Sequence, residues 1–476
     1  MISSLTILKS VAFASLCLFT VALCNSFLQV DEREAIHTAW KIVSGETIYL
    51  DFFQHHNPLF YYLLAPVLNL FGDSNAAVYA ARFVTGCFGA GIVCTTWWLT
   101  RQLATPHAAW LSVTLVIANP IFLGTGVDVR PDVPQVFFNL LGITLAYCWL
   151  VRPSRKLLLA SAICTGIAFL ALQKAVIPGF ALGLVWALRA IRGEATITDL
   201  VLWCLTAATT AFLVVPFYYL SEQLVPWYEQ NIQLNLISDT GLVSVDIDEI
   251  RRSIGRLWWL GVPIIGLPFV LFKVKASRDT TSQKRIRWQA IELALLVMVV
   301  GGFSLTYRVQ YFQYYLSLLP LLCVACSWIF CAMVSKGSEA KTVFPIRYSL
   351  PLIAIAIFTN AALSRDYGRS RLTQQLVVLE EVRQLTRPGE VVYDELMLCN
   401  LFRSDLHFFW FSVGSSQQIA KYQRIRSVSH DSNKLIEDKA TKLSCYPGTQ
   451  KLSNSAGVPI YQEHSEFPGI YVRRLL

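Results

Sequence analysis

Apolar segments long enough to cross a bilayer recur along most of the chain, and this repetition constrains the fold more than any other feature. A helix spans a hydrocarbon core of roughly 30 Å in about 20 residues. Segments of that kind fall near 5–28, 77–100, 108–124, 134–151, 157–176, 178–192, 200–220, 257–272, 288–306, 310–334 and 348–364. Of the 476 residues, 54% are hydrophobic and only 15% charged, too little charge for a set of soluble domains. The expected fold is mainly α, a polytopic helical bundle of about 11 spans. The net charge of +9 is therefore no sign of nucleic-acid binding until its placement is known.

That placement orients the chain. The first span carries Lys9 and lacks a small-residue cleavage site at its end, so it reads as an uncleaved anchor. An odd number of spans puts the two ends on opposite sides. With the N-terminus cytoplasmic, the inner loops collect Arg152, Arg155, Lys156, Arg189, Arg192 and the basic stretch KVKASRDTTSQKRIR. This satisfies the positive-inside rule, whereas the reverse orientation exports that stretch. Residues 29–76, 221–256 and everything beyond about 365 then face outward.

The division expected is a membrane module, 1–364, with a first external loop at 29–76, and a C-terminal domain, 365–476. In the latter, RLTQQLVVLEEVRQL has helical periodicity and stops at Pro388-Gly389, while VVYDE and GIYVRRL read as short strands. A small extracytoplasmic α/β unit follows. Most of the twelve cysteines lie in apolar spans and serve as small hydrophobes; Cys399 and Cys445 lie in the polar tail, where an oxidising compartment permits a disulfide.

The outward ends of the spans carry charges that topology does not explain. Asp31 and Glu32 follow the first span, and Arg82 opens the second. Asp128, Arg130 and Asp132 sit in GVDVRPDVP, Lys174 at the outer end of the fifth span, and Arg308 before YFQYY. A charge at mid-bilayer costs roughly 2.5–3.5 kcal/mol on insertion scales. One polar cavity at the outer leaflet accounts for all of them. The plainer alternatives are snorkelling of Arg82 and Lys174, a solvated turn at 128–132, and a helix N-terminus at Asp31-Glu32. His55 and His56 suggest a metal, but adjacent residues rarely serve one ion without a third ligand, and none is evident in the sequence.

A carboxylate at the lipid boundary, faced by outward cations, suits group transfer from a lipid phosphate. The carboxylate takes a proton from an attacking hydroxyl, and the cations stabilise charge on the departing phosphate. At these residues the chain resembles the GT-C glycosyltransferases, most closely bacterial relatives of protein O-mannosyltransferases and lipid A aminoarabinose transferases. The resemblance lies in Asp31-Glu32, in Gly45, Tyr49 and Asp51, and in the run HHNPLFYYLLAPVLNLFG. It continues in AVYAARFVTG around Arg82, TGIAFLALQKAV around Lys174 and RVQYFQYYLSLLPLL around Arg308, over about the first 330 residues. Asn57 stands where those families have the first proline of a Pro-Pro pair. His56 stands where the aminoarabinose transferases have a phosphate-contacting lysine.

The resemblance implies a membrane enzyme that moves a monosaccharide from a polyprenyl-phosphate donor to a lipid, glycan or protein acceptor, usually with inversion. It implies Asp31 as base or acceptor-orienting residue, with Glu32 as second candidate. Arg82, Lys174, Arg308 and His56 become lipid-phosphate partners, and Asp51, Arg130 and Asp132 supports of the sugar or loop. No cofactor is implied, and a divalent metal is compatible but not indicated. The setting it suggests is a bacterial inner membrane. A transporter or flippase of lipid-linked sugar is the competing class, though such proteins often show paired halves with interrupted helices, and no such symmetry is evident here.

Overall fold

The computed structural model describes residues 4–237, 281–305, 312–334, 371–387, 389–394, 398–405, 443–445, 461–463, 465 and 470–473. Arg308 and the expected spans at 257–272 and 348–364 lie outside the described residues. Among those described, ten helices lead from the N-terminus into the bundle. They are α1 (Ser4–Asn25), α2 (Val30–Val43), α3 (Leu59–Phe71), α4 (Asn75–Leu103) and α5 (Pro106–Ile117). The series goes on with α6 (Pro120–Thr125), α7 (Asp132–Val151), α8 (Arg155–Ala171), α9 (Val176–Ile191) and α10 (Ile197–Ala211). Helices at Thr281–Leu305 and Leu319–Val334 also belong to the described bundle.

Among the described residues, six helical stretches are long and apolar enough to cross a membrane: Leu5–Asn25, Asn75–Leu103, Asp132–Val151, Gln173–Ile191, Ile197–Leu220 and Arg287–Leu305. The expected span at 108–124 is instead two helices. Pro120 at the first position of α6 removes a donor, and the Asn119 side chain accepts the Ile121 N–H at 2.8 Å, so the chain restarts there. The expected span at 310–334 likewise begins as a short 3-10 turn, Phe312–Tyr315, and becomes α-helical only at Leu319.

Within the bundle α7 packs on α8 and α4, and α8 packs on α10. The α8–α10 crossing is close because Gly166 has no side chain; a Cβ there meets the Ala207 carbonyl at 2.8 Å and Thr210 at 2.5 Å. A second apolar cluster lies apart from the bundle core. It joins Leu28, Ile36, Tyr49, Phe52, Phe60, Tyr61 and Val78 with Trp227, Leu372, Leu401 and Phe402. The first loop thus folds against residues of the tail.

Among the described residues of the tail, helix Arg371–Leu385 precedes four short strands: β1 (Val392–Tyr393), β2 (Leu443–Ser444), β3 (Tyr461–Glu463) and β4 (Tyr471–Arg473). They form one sheet in the order β1-β2-β4-β3, parallel between β1 and β2 and antiparallel elsewhere. Cys399 and Cys445 are joined as a disulfide beside it. The helix is held to the membrane module by Gln375, which accepts the Leu28 N–H at 2.6 Å and donates to the Leu28 carbonyl at 3.2 Å.

Candidate functional site

The site is assembled around the start of α2. Asp31 and Glu32 both occupy its first turn, where backbone N–H groups favour negative charge. One residue apart on a helix, they point about 100° from each other and meet different surroundings.

Glu32 is fully buried and faces α4. Its two oxygens take hydrogen bonds from Arg82 Nε at 2.6 Å and Nη2 at 2.7 Å. Arg82 Nη1 donates to the carbonyls of Leu23 and Ser26, each at 3.0 Å, and Nη2 reaches the Phe27 carbonyl at 3.4 Å. A single guanidinium therefore satisfies one carbonyl in the last turn of α1 and two just beyond it, and ties α1, α2 and α4 together. All three of its nitrogens are engaged in protein contacts, and its exposure is 1%. Arg82, expected as a lipid-phosphate partner, sits as an internal clamp, and Glu32, the second candidate base, is its counter-ion.

Asp31 has the opposite setting. Its side chain is 47% exposed, and Oδ2 meets Arg130 Nη2 at 2.7 Å. Arg130 Nε in turn reaches Asp132 at 3.4 Å. Burial alone lowers the Arg130 guanidinium, yet Asp31, Asp132 and Asp128 hold it above its usual value. Asp128 lies buried in the same loop; burial, and then the Glu32 charge, push its carboxyl well above the usual range. The α6–α7 loop thus supplies a permanently charged arginine that orients Asp31 without enclosing it.

Asp132 also edges a recess whose lining includes Gln135, Lys174, Ser304, Gln313 and Tyr314. Lys174 comes from the 3-10 turn Gln173–Ala175 between α8 and α9, and its Nζ lies 4.0 Å from the Tyr314 ring centre. The array running Asp31, Arg130, Asp132 leads from an accessible carboxylate to a recess that holds a lysine. Separated segments line that recess: the start of α7, the α8–α9 turn with the start of α9, the helix Thr281–Leu305 and the 3-10 turn at 312–315.

The first loop is shaped by polar groups that alternation rules do not reveal. Asp51 accepts the Thr47 N–H at 2.6 Å and closes a turn, a structural support for the loop. Tyr49 is buried at φ 70°, a conformation rare for bulky side chains, and its hydroxyl donates to the His56 carbonyl at 2.6 Å. Asn57, the residue in place of a proline, donates to the Phe169 carbonyl at 2.5 Å. Its oxygen accepts from Trp227 Nε1 at 3.1 Å and from Asn231. Gln230 and Asn231 belong to a π-helical turn, Tyr228–Gln233, that the sequence did not announce. A proline at 57 offers none of those side-chain bonds.

His55 and His56 follow this loop inward and meet Glu34, one turn beyond Asp31. His55 Nδ1 lies 3.6 Å from Glu34 Oε1. Burial, then the Lys174 charge, lower His55 to about 4, and burial together with His55 and Lys174 lower His56 as well. His56, expected as a phosphate partner, is thus uncharged at neutral pH. Glu34 is raised to about 8, by burial first and by Asp31 second. Sequence reasoning missed Glu34; its spacing of three from Asp31 along α2 was the available signal.

Residues 55–220 match the family described as dolichyl-phosphate-mannose-protein mannosyltransferase. No curated protein matches the sequence. The fold is similar to that of ArnT from Cupriavidus metallidurans bound to undecaprenyl phosphate, with a TM-score of 0.68 and 13% identity, covering 98% of this chain and 97% of that one. It is also similar to the oligosaccharyltransferase of Archaeoglobus fulgidus in the apo form, with a TM-score of 0.59 and 12% identity over 93% of this chain and 69% of that one. Identities this low carry the fold alone. With its series of apolar helices and these neighbours, the protein is an integral membrane protein with the GT-C glycosyltransferase fold.

Proposed function

We propose that this protein is a glycosyltransferase that moves a monosaccharide from a polyprenyl phosphate to an acceptor hydroxyl, with inversion at the anomeric carbon. The observation that carries the reading is the contrast between the two acids of α2. Glu32 is consumed by Arg82, whereas Asp31 is accessible, held by Arg130, and connected to the recess that contains Lys174. Asp31 accepts the acceptor's proton as its oxygen bonds to the anomeric carbon. The bond from that carbon to the phosphate oxygen breaks, and the lipid phosphate leaves with the electron pair. Lys174 and Arg308 stabilise the growing phosphate charge, and Arg130 and Asp132 hold the base and the sugar.

The ArnT neighbour was solved with undecaprenyl phosphate, which supports a donor of that class. The acceptor side faces away from the cytoplasm in this reading, with the N-terminus inside and the tail outside. The bonded Cys399–Cys445 pair agrees with an oxidising compartment there, and a bacterial inner membrane suits all of these features.

Donor profiling tests the proposal. Purified protein in lipid nanodiscs is given a panel of polyprenyl-phosphate sugars, and released lipid phosphate is followed by mass spectrometry. Consumption of at least one donor is expected. A folded protein that consumes none of them, or one that moves donors across vesicle membranes intact, contradicts it.

A further inference from the structure

We propose that Glu34, His55 and His56 form a binding site for a divalent transition ion of the zinc class, next to Asp31 and distinct from the donor recess. One ligand atom from each residue lies within 4.8 Å of the other two. An ion about 2.1 Å from tetrahedral ligands wants them roughly 3.4 Å apart, so binding asks for a modest inward movement of side chains. The third ligand, which the sequence did not offer, comes from a different element: α2 approaches the loop and sets Glu34 opposite the histidine pair.

An independent observation points to a ligand. Glu34 Oε1 and His56 Nδ1 are both buried and neither atom meets a well-aligned hydrogen-bond partner, while the Glu34 carboxyl as a whole interacts with Gln54 and the His56 ring with Gln173. Glu34 as a whole is 6% exposed. Each such atom carries a desolvation cost of about 1–3 kcal/mol that folded proteins normally avoid. One ion satisfies both at once. Two imidazoles and one carboxylate suit zinc or a similar borderline ion far better than magnesium or calcium, which prefer oxygen shells.

The backbone that carries the pair is fixed as a metal site requires. The Gln54 side chain accepts the N–H of His55 at 2.8 Å and that of His56 at 3.2 Å. The His55 carbonyl takes hydrogen bonds from Gln173 at 2.9 Å and from Asn235 at 3.0 Å, and the His56 carbonyl takes that of Tyr49. Gln54 also donates to Thr38, one turn beyond Glu34 on α2. This shell holds the adjacent imidazoles with ring centres 3.9 Å apart and planes tilted by 41°. Charges around the cluster pull both ways: Asp31 favours a cation, and Lys174 and Arg130 oppose one. Three protein ligands leave a fourth position for water, and the ion fastens the loop to α2.

The test uses the full chain purified through a tag free of histidine, stripped with chelator and then titrated with zinc or cobalt alone. About one ion per chain is expected, with the visible cobalt bands of a tetrahedral site. Glu34→Gln preserves shape and hydrogen-bonding capacity, and with His56→Ala it is expected to weaken binding by about tenfold or more. Zinc is expected to raise the melting temperature of the parent protein and to leave that of both variants unchanged. Absence of stoichiometric binding, or equal binding and equal stabilisation in parent and Glu34→Gln, overturns the proposal. Since the readouts are metal content, spectrum and melting temperature, failure here is distinct from failure of the glycosyl-transfer reading.

Discussion

Arg82 holds Glu32 through two hydrogen bonds of 2.6 and 2.7 Å while the same guanidinium donates to the carbonyls of Leu23, in the last turn of α1, and Ser26, just past it. Neither residue reaches solvent, so the pair is a joint between three helices. Removing one partner leaves a buried charge uncompensated, at a cost of about 3–5 kcal/mol. Arg82→Leu and Glu32→Gln are therefore expected to lower the melting temperature or yield of the detergent-purified protein, whereas Asp31→Asn is expected to leave both nearly unchanged. Equal thermal behaviour of all three variants contradicts the division of roles.

Lys174 is the described cation that borders the recess beyond Asp132. Lys174→Ala is expected to weaken binding of a polyprenyl phosphate by about 1.5–3 kcal/mol, the usual worth of a charged hydrogen bond. Lys174→Arg is expected to recover part of it. Titration of nanodisc-embedded protein with the lipid phosphate measures both, and unchanged affinity in Lys174→Ala removes this residue from the donor site.

Much of this arrangement was legible in the sequence, and what was not follows from physics. Spans could be read because apolar length has a direct relation to bilayer thickness. Convergence of Asp31, Arg130, Asp132 and Lys174 on one face followed from topology. The partition of Asp31 from Glu32 did not, since it depends on which side of α2 meets α4. Arg82 has the same type and the same outward position as a phosphate ligand, and only its contacts reveal a clamp. Glu34 escaped notice because its histidine neighbours come from another element at no fixed spacing, although its place one turn from Asp31 on α2 was visible. The break at Asn119-Pro120 was visible as a proline, yet apolar content on both sides read as one continuous span.

Asn57 supplies three side-chain bonds, to Phe169, Trp227 and Asn231, that pin the first loop to α8 and to the π-helical turn. Asn57→Ala leaves buried partners unsatisfied, with an expected loss of about 1–3 kcal/mol. Hydrogen exchange of residues 54–58 is expected to quicken in that variant. Protection equal to the parent's indicates that the loop is held by other means.

The tail meets α2 at Asp405, whose Oδ2 accepts hydrogen bonds from Lys41 at 2.6 Å and from His37 at 2.8 Å. Burial disfavours this carboxylate, yet His37 and Lys41 more than offset that and hold it below its usual range. A depressed carboxylate contributes stability above its unfolded value of about 3.9, and the contribution is lost as pH falls through the lower folded value. Docking of residues 398–405 is expected to persist at neutral pH and to loosen in acid below about pH 4. Asp405→Asn is expected to loosen it at neutral pH and to remove the acid dependence, as read by exchange rates in that segment. An Asp405→Asn protein with parental protection contradicts the clamp.

The most direct measurement of the central claim compares Asp31→Asn with the parent protein for both donor binding and sugar transfer, using whichever polyprenyl-phosphate sugar the parent consumes. The account predicts lipid-phosphate affinity close to the parent's and transfer reduced by about 10² or more, the typical worth of a positioned base. Transfer at the parental rate by a folded Asp31→Asn protein contradicts it.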